Sequence, residues 1–132
     1  MAEPNGLRDP WLVAAWPGMG NVAVSAAAYL IAKLGAGLVH EIPSAGVFDL
    51  NHIDVKEGVA KPGRVPRSMF FQWRNPEGGA GLHDLLIFIG EAQPPAHGLA
   101  FCHRLLDYAQ TRGVKRLFTF AALATQLHPS NH

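Results

Sequence analysis

The sequence feature that most constrains the fold of this 132-residue chain is a short apolar run that breaks at a glycine turn and continues as a long apolar segment. The run covers residues 12–16, and the turn reads Pro17-Gly18-Met19-Gly20-Asn21. Continuous apolar character is typical of a strand in a parallel sheet that is covered on both faces. Glycine permits backbone conformations that other residues disfavour, and Asn21 is a favourable helix N-cap. The stretch therefore predicts the strand, turn and helix that begin an α/β domain.

The helix after this turn is predicted to span about residues 21–34 and to end at Gly35, a residue type that is common directly after helices. Its body is apolar almost all round, with Ser25 and Lys33 as its only polar side chains. A helix of this kind is normally buried rather than amphipathic at a surface. Its many alanines would allow close packing against the sheet or against another subunit.

The rest of the chain alternates further strand and helix patterns. A second strand at 38–42 completes a strand–helix–strand unit, which predicts a right-handed parallel crossover. The other predicted elements are strands at 68–74, 85–89 and 117–122, a hairpin around Lys56-Glu57-Gly58, and a helix at 96–112. The apolar stripe of that helix is predicted at Leu99, Cys102, Leu105, Leu106 and Ala109. We expect residues 1–10 to form a loose lead-in and residues 11–128 to form a single α/β domain.

The composition indicates a protein whose surface is partly covered by something else. Only 16% of the residues are charged, against about 25% in an average soluble domain. A partner subunit or a missing part of the same chain would each provide the cover. The net charge is +1 and there is no basic run, which argues against nucleic acid as a partner.

The sequence also argues against a membrane or an oxidising compartment. The longest apolar stretch, residues 22–32, is shorter than the run of about 20 residues that spans a bilayer, and the N-terminus lacks a signal-peptide pattern. Cys102 is the single cysteine, so no disulfide can form within the chain, as is usual in reducing compartments. We therefore expect a cytoplasmic protein without a membrane partner.

Three predicted loops leave the carboxyl ends of strands, at the edge of an open α/β sheet where ligands bind. They lie at about Pro17–Asn21, Gly90–Gln93 and Ala121–Gln126. Backbone N–H groups at a helix N-terminus attract anions, and the second loop adds a carboxylate and an amide. The candidate ligand-binding residues are Gly18, Gly20, Asn21, Glu91 and Gln93. The alternative is that the glycines serve only the tight turn.

Other chemical motifs are incomplete. Gly18–Ala23 fits the G-x-G-x-x-A dinucleotide fingerprint, with Glu41 near the position of a ribose-binding acid, but the chain after residue 42 does not continue as that fold should. The seven histidines form no metal-ligand set, and neither a nucleophile elbow nor a P-loop occurs. We predict no catalytic residues, no metal and no cofactor. The sequence leaves open whether the chain is an enzyme, although the missing catalytic set weighs against it.

Two motifs together resemble the proteasome assembly chaperone 2 family. They are Pro17-Gly-Met-Gly-Asn-Val22 before a helix that contains Tyr29-Leu-Ile31, and Ile89-Gly-Glu-Ala-Gln-Pro94. The resemblance covers about residues 11–128, and the five candidate ligand-binding residues match motif positions whose role is not known to be catalytic. It implies a three-layer αβα fold with a mostly parallel sheet and a β-hairpin, phosphorylase- or hydrolase-like. Likeness to purine nucleoside phosphorylases at the level of the fold carries no function by itself.

The resemblance also implies a function. Eukaryotic relatives pair with another chaperone to assemble the proteasome α ring, and archaeal and bacterial members form homo-oligomers. We therefore predict a non-catalytic interaction protein that binds itself, for example as a trimer, and that binds a larger complex such as a proteasome-like assembly. The alternative is an enzyme or small-ligand binder related to purine nucleoside phosphorylases, with an anion at the Gly18–Asn21 turn.

The chain also departs from the family pattern, because members usually continue well past the strand at 117–122. We expect either a fragment or a naturally shortened version. A fragment would leave a sheet edge and an apolar helix face uncovered, in agreement with the low charge content. Exposed apolar patches, relieved by self-association, are the predicted consequence.

Overall fold

A computed structural model of the chain describes residues 6–48, 53–62, 65–79 and 81–124. The predicted lead-in and domain therefore extend beyond the described residues at both ends. The strands are β1 (Trp11–Ala15), β2 (Gly37–Ile42), β3 (Ile53–Lys56), β4 (Val59–Pro62), β5 (Ser68–Trp73), β6 (Leu85–Gly90) and β7 (Arg116–Thr119). The α-helices are α1 (Val22–Leu34), which a 3₁₀ turn at Met19–Asn21 directly precedes, and α2 (Gly98–Thr111). Each lies where the sequence pattern predicts it, except that β7 ends before residue 120.

Five of the described strands form one mixed sheet in the order β2-β5-β6-β1-β7, and β3 and β4 form the predicted hairpin as a separate antiparallel pair. β1 pairs in parallel with β6 and with β7, whereas β5 pairs antiparallel with β2 and with β6. Among these five strands, β2, β6, β1 and β7 therefore share one direction and β5 opposes it.

The antiparallel β5 is where the sheet departs from the predicted mostly parallel arrangement. β1 and β2 run parallel on either side of α1 in the chain, as predicted, but β5 and β6 lie between them in the sheet. A parallel neighbour needs a crossover of a dozen residues or more, usually with a helix. The connection at 74–84 carries no helix in its described residues, so the chain returns directly and β5 and β6 pair antiparallel.

The two helices pack on opposite faces of the sheet. On the α2 face, Phe101 of the helix packs with Phe70 and Phe88 of the central strands, and all three are buried. On the α1 face, Ala27 of the helix packs with Ile87 of β6. Successive residues of β6 thus enter different cores, as expected of a strand that is covered on both sides. The described chain therefore has helix, sheet and helix as its three layers.

The outer side of α1 is exposed, so the prediction that this helix is buried is wrong for the described chain. Only Ala23 and Ala27 are buried, whereas Val22 and Tyr29 keep 52% and 66% of their surface exposed. The sheet covers one side of the helix only, and the described residues leave the other side open. The expected uncovered apolar helix face is therefore present.

α2 presents a different stripe to the sheet from the predicted one. Phe101, Leu105 and Ala109 are buried and recur every fourth residue, which places them on one side of the helix. Apolar residues at helical spacing occur on both sides of α2, so periodicity alone could not identify the buried side. The predicted stripe residues that are exposed instead are Leu99, Cys102 and Leu106. Among the described residues, neither helix combines the length and the apolar character that crossing a bilayer requires.

Candidate functional site

The two glycines of the turn after β1 have different backbone conformations. Gly18 is extended, with φ of −157°, a conformation open to any residue. Gly20 has φ of 67°, in the left-handed region that favours glycine. Asn21 occupies the predicted N-cap position of α1, but with φ of 51° its side chain makes no capping hydrogen bond. The predicted need for glycine therefore holds at Gly20 and is wrong at Gly18.

The exits of β1, β6 and β7 surround one cavity of about 580 Å³ at the carboxyl edge of the sheet. We call it the carboxyl-edge cavity. Because β1 lies between β6 and β7, the three exits are neighbours, as the sequence predicts. The Nε2 of Gln93 donates a hydrogen bond to the carbonyl of Pro17 at 2.8 Å, which ties the β6 exit to the turn. The apolar lining includes Trp16, Met19, Val22, Phe101 and Phe120.

The candidate ligand-binding residues are divided between this cavity and its surroundings. Gly18 and Gln93 line it, whereas Gly20, Asn21 and Glu91 are not among the described residues that do. The N–H of Asn21 donates to the carbonyl of Gly18 at 3.0 Å. An anion at the turn would have to compete with this bond for that donor.

Glu91 is engaged with the start of β5. Its Oε1 accepts a hydrogen bond from the backbone N–H of Arg67 at 2.7 Å, and its own N–H donates to the carbonyl of Arg67 at 2.9 Å. These two bonds extend the contact between the β5 and β6 segments beyond the paired strands. Glu91 therefore fixes the segment that leads into β5, and it does not share the cavity with Gln93.

Glu41, which lies near the position of a ribose-binding acid in the incomplete dinucleotide pattern, is held by an ion pair. The Nε and Nη2 of Arg67 donate to its two carboxylate oxygens at 2.8 Å and 2.9 Å. These hydrogen bonds lower the pKa of Glu41 below its ordinary value of 4.5, and they raise the pKa of Arg67. The fork-to-fork geometry occupies both oxygens of the carboxylate.

A change in pH should reveal this ion pair. Because the pKa of Glu41 is lower in the folded chain, the pair stabilises the fold above about pH 4.5 and stops doing so as the pH falls through the folded value. Both side chains are about 40% exposed, so the effect is expected to be small. Glu41→Gln should lower the melting temperature slightly at neutral pH and not at acidic pH. Thermal melts against pH, with Glu77→Gln on the β5–β6 loop as the control, measure this; equal pH profiles for both variants would contradict it.

The carboxyl-edge cavity is suited to an apolar group, because none of its described lining residues carries a charge. Cys102 is the one described lining side chain with a titratable group. In the described part of the chain, no cluster of three or more His, Cys, Asp or Glu residues could hold a metal ion.

Sequence patterns do not single out four of the apolar lining residues, Trp16, Met19, Phe101 and Phe120, as site residues. Single apolar side chains beside predicted strands are usually part of the core, and Phe101 was not in the predicted stripe of α2. The available signal was position: Trp16 and Met19 flank the β1 exit, and Phe120 lies at the β7 exit. Ligands in open α/β sheets bind at such exits.

A methyl group added at Gly90 should disturb the wall of the cavity. A Cβ there would lie 2.7 Å from Cδ1 and 2.9 Å from Nε1 of Trp16, and the Trp16 ring also packs on Phe88, at 5.1 Å between centroids. Gly90→Ala is therefore expected to cost about 1–3 kcal/mol of stability through overpacking. Urea denaturation measures this cost. Gly18→Ala is the control, because a Cβ there meets nothing within 4 Å; equal costs for the two variants would contradict the proposed packing.

Comparison with protein families identifies one match that covers nearly the whole chain. The family model described as PAC2 family matches residues 12–132. Comparison of the sequence with curated proteins found no match.

Three solved structures share the fold. The PAC2 family protein from Streptomyces avermitilis is 25% identical with a TM-score of 0.70, over 89% of this chain and 51% of its own. The Mycobacterium tuberculosis proteasome-assembly chaperone homologue is 25% identical with a TM-score of 0.69, over 85% and 49%. Pyrococcus furiosus PbaB, an archaeal proteasome activator, is 24% identical with a TM-score of 0.68, over 89% and 47%. The chain spans about half the length of these proteins.

Proposed function

The chain belongs to the PAC2 family, and from this premise we propose that it is a non-catalytic, homo-oligomeric interaction protein that helps to assemble a proteasome-type complex. The M. tuberculosis relative is a proteasome-assembly chaperone homologue, which supports this class of partner. The chain spans about half the length of that relative, so the partner and the activity are proposals for this chain.

The observation that carries the proposal is an uncharged apolar surface around the carboxyl-edge cavity. Met19, Val22 and Phe120 line the cavity and are each at least half exposed. Leu99 and Leu123 directly follow lining residues in the chain and are 76% and 85% exposed. We call these five residues the carboxyl-edge patch. An exposed apolar surface of this kind marks an interaction site rather than a solvated face.

The chemistry of the patch fits an unassembled subunit of a ring. Subunits that form permanent complexes bury interfaces that are more hydrophobic than ordinary protein surface. Before assembly these interfaces are exposed, and a chaperone must cover them without binding so tightly that the ring cannot replace it. A patch without charged side chains provides apolar contact and imposes no fixed charge pattern on the partner.

A charge in the patch should abolish the interaction. Met19→Asp places a carboxylate at a site that is 54% exposed on the turn before α1, so folding should tolerate it while apolar contact with a partner should not. Pull-down with purified proteasome α-type subunits from the source organism is expected to show binding by the wild type and at least about tenfold weaker binding by Met19→Asp.

The matched control is Leu38→Asp, on the edge strand β2 at the other side of the sheet, where Leu38 is 50% exposed. This variant adds the same charge to an equally exposed apolar site outside the patch, so it should bind like the wild type. Equal loss in both variants, or no binding by the wild type, would contradict the assignment of the patch.

The size of the cavity supports a second candidate, a small-ligand binder related to purine nucleoside phosphorylases. About 580 Å³ lies within the usual range for ligand pockets, and Gly18 and Gln93 line it. A thermal-shift screen with phosphate, nucleosides and nucleotides tests this candidate. Stabilisation that is lost in Gln93→Ala and kept in Glu91→Gln would favour it, and no stabilisation by any compound would exclude these ligands.

A further inference from the structure

We propose that the peptide bond between Asp9 and Pro10 is a self-cleavage site, in which the Asp9 carboxylate is the nucleophile and His83 donates a hydrogen bond to the scissile carbonyl. It is the one Asp-Pro bond in the sequence, and it lies directly before β1. The inference goes beyond the proposed function and is independent of it, because none of these three residues is among the described residues that line the carboxyl-edge cavity.

An Asp-Pro bond combines a nucleophile with a good leaving group. A carboxylate can attack a carbonyl carbon, and attack by the Asp side chain on its own backbone carbonyl closes the ring of a cyclic anhydride. The nitrogen of an X-Pro bond belongs to a tertiary amide, and it leaves as the basic secondary amine of an N-terminal proline. The bond therefore carries both reacting groups, and its rate of cleavage depends on how the surrounding structure holds them.

His83 contacts the two groups of Asp9 that this reaction uses. Its Nδ1 lies 2.8 Å from the backbone carbonyl oxygen of Asp9 and 3.1 Å from Oδ2 of the Asp9 carboxylate. Both oxygens are hydrogen-bond acceptors, so Nδ1 carries the proton. One N–H group therefore draws the carboxylate and the scissile carbonyl together, and it is in place for the negative charge that forms on the carbonyl oxygen.

The imidazole of His83 is held in place by stacking. Its ring lies on the indole of Trp11, with 4.0 Å between centroids, and the guanidinium of Arg116 lies 5.7 Å from the centroid of the same indole. The side chain of His83 is 20% exposed, whereas that of Asp9 is 58% exposed. The donor is therefore positioned by its neighbours, while water has access to Asp9.

The backbone is fixed to Asp84 on both sides of the bond. The N–H of Asp84 donates to the carbonyl of Arg8 at 3.1 Å, and the N–H of Trp11 donates to the carbonyl of Asp84 at 3.1 Å. Between these two hydrogen bonds, Asp9 has φ of 41°, in the left-handed region that residues with side chains disfavour. The fold thus holds the bond in a strained conformation, and cleavage would relieve this strain.

The reaction consumes one water molecule in two steps. A carboxylate oxygen of Asp9 forms a bond to its own backbone carbonyl carbon, and the carbonyl oxygen becomes an oxyanion that accepts the hydrogen bond from His83. The oxyanion then reforms the carbonyl, the bond to the Pro10 nitrogen breaks, and this nitrogen takes a proton from the solvent. Water opens the resulting anhydride, which leaves a C-terminal aspartate and a free N-terminal proline.

Intact-mass spectrometry of the purified chain tests the proposal. The chain is incubated at about pH 6, within the range where histidine side chains exchange protons readily. Fragments of residues 1–9 and 10–132 should form at least about tenfold faster in the folded chain than in the same chain unfolded in urea, because only the fold places the donor on the carbonyl. A folded chain that stays intact, or equal rates in the folded and unfolded chain, would overturn the proposal.

Three variants test the roles of the two side chains. Asp9→Gly removes the nucleophile and accommodates the positive φ, so it should stay intact. His83→Phe keeps an aromatic ring beside Trp11 but removes the N–H donor, so cleavage should slow by about tenfold or more. His103→Ala removes an exposed imidazole from α2 and should cleave like the wild type. Far-UV circular dichroism shows that each variant is folded. Cleavage of Asp9→Gly, which would indicate a contaminating protease, or wild-type rates in His83→Phe would contradict the assignment.

Discussion

Replacing Phe88 with alanine should lower the free energy of unfolding by about 3–5 kcal/mol. Phe88 is fully buried in β6. Its ring centroid lies 5.0 Å from that of Phe70 and 6.2 Å from that of Phe101, so it links the sheet to α2. Truncation removes the ring from this aromatic cluster and leaves a cavity among side chains that are too rigid to fill it. Guanidinium denaturation followed by tryptophan fluorescence measures the loss.

Phe120→Ala is the matched control for this prediction. It removes the same side chain from a site that is 50% exposed, so the expected loss is below about 1 kcal/mol. Similar losses for Phe88→Ala and Phe120→Ala would show that the aromatic cluster on the α2 face does not hold α2 against the sheet.

Replacing Asp84 with alanine is expected to lower the free energy of unfolding by about 3–5 kcal/mol, because it removes hydrogen bonds whose acceptor is charged. Asp84 is buried. Its carboxylate accepts hydrogen bonds from the backbone N–H groups of Arg8, at 2.6 Å, and Asn75, at 2.7 Å. It thereby joins the segment before β1 to the loop after β5. Alanine would leave both donors without this acceptor in a place with little access to water.

Two further variants separate the carboxylate from the loss of side-chain volume. Asp84→Asn keeps one acceptor oxygen and nearly the same shape, so its cost should lie between those of wild type and Asp84→Ala. Asp107→Ala, at an exposed position on α2, should change the midpoint of urea denaturation little. If Asp84→Ala unfolded at the same urea concentration as Asp107→Ala, Asp84 would not be a structural link.

The sequence predicted most of the elements because their signals are local. The apolar run at 12–16 and the turn at Gly20 indicated β1 and the start of α1, and the apolar run at 85–89 indicated β6. The meeting of three loops at the carboxyl edge followed from the rule for open α/β sheets. Each of these inferences used residues that are adjacent in the chain or a rule that applies to any such sheet.

What the sequence missed depends on contacts between distant residues. The place of β5 between β2 and β6 depends on a connection without a helix. Glu91 forms its hydrogen bond with Arg67 because β5 begins beside the end of β6. Local periodicity could not choose between Phe101 and Cys102 as the residue that faces the core, since both lie on apolar stripes of α2. Whether the outer face of α1 is exposed depends on which other segments pack against the helix. The hydrophobicity of the helix itself does not show this.

Reconstitution of the complex tests the central claim most directly. Separately purified α-type and β-type proteasome subunits from the source organism are combined with and without the chain, and the yield of assembled particle is followed by native mass spectrometry. If the chain assists assembly through the carboxyl-edge patch, the wild type should raise the yield of particle and be absent from the finished particle. Met19→Asp should not raise the yield, whereas Leu38→Asp should raise it as the wild type does. An unchanged yield with the wild-type chain, or the same gain with Met19→Asp, would contradict the proposed function.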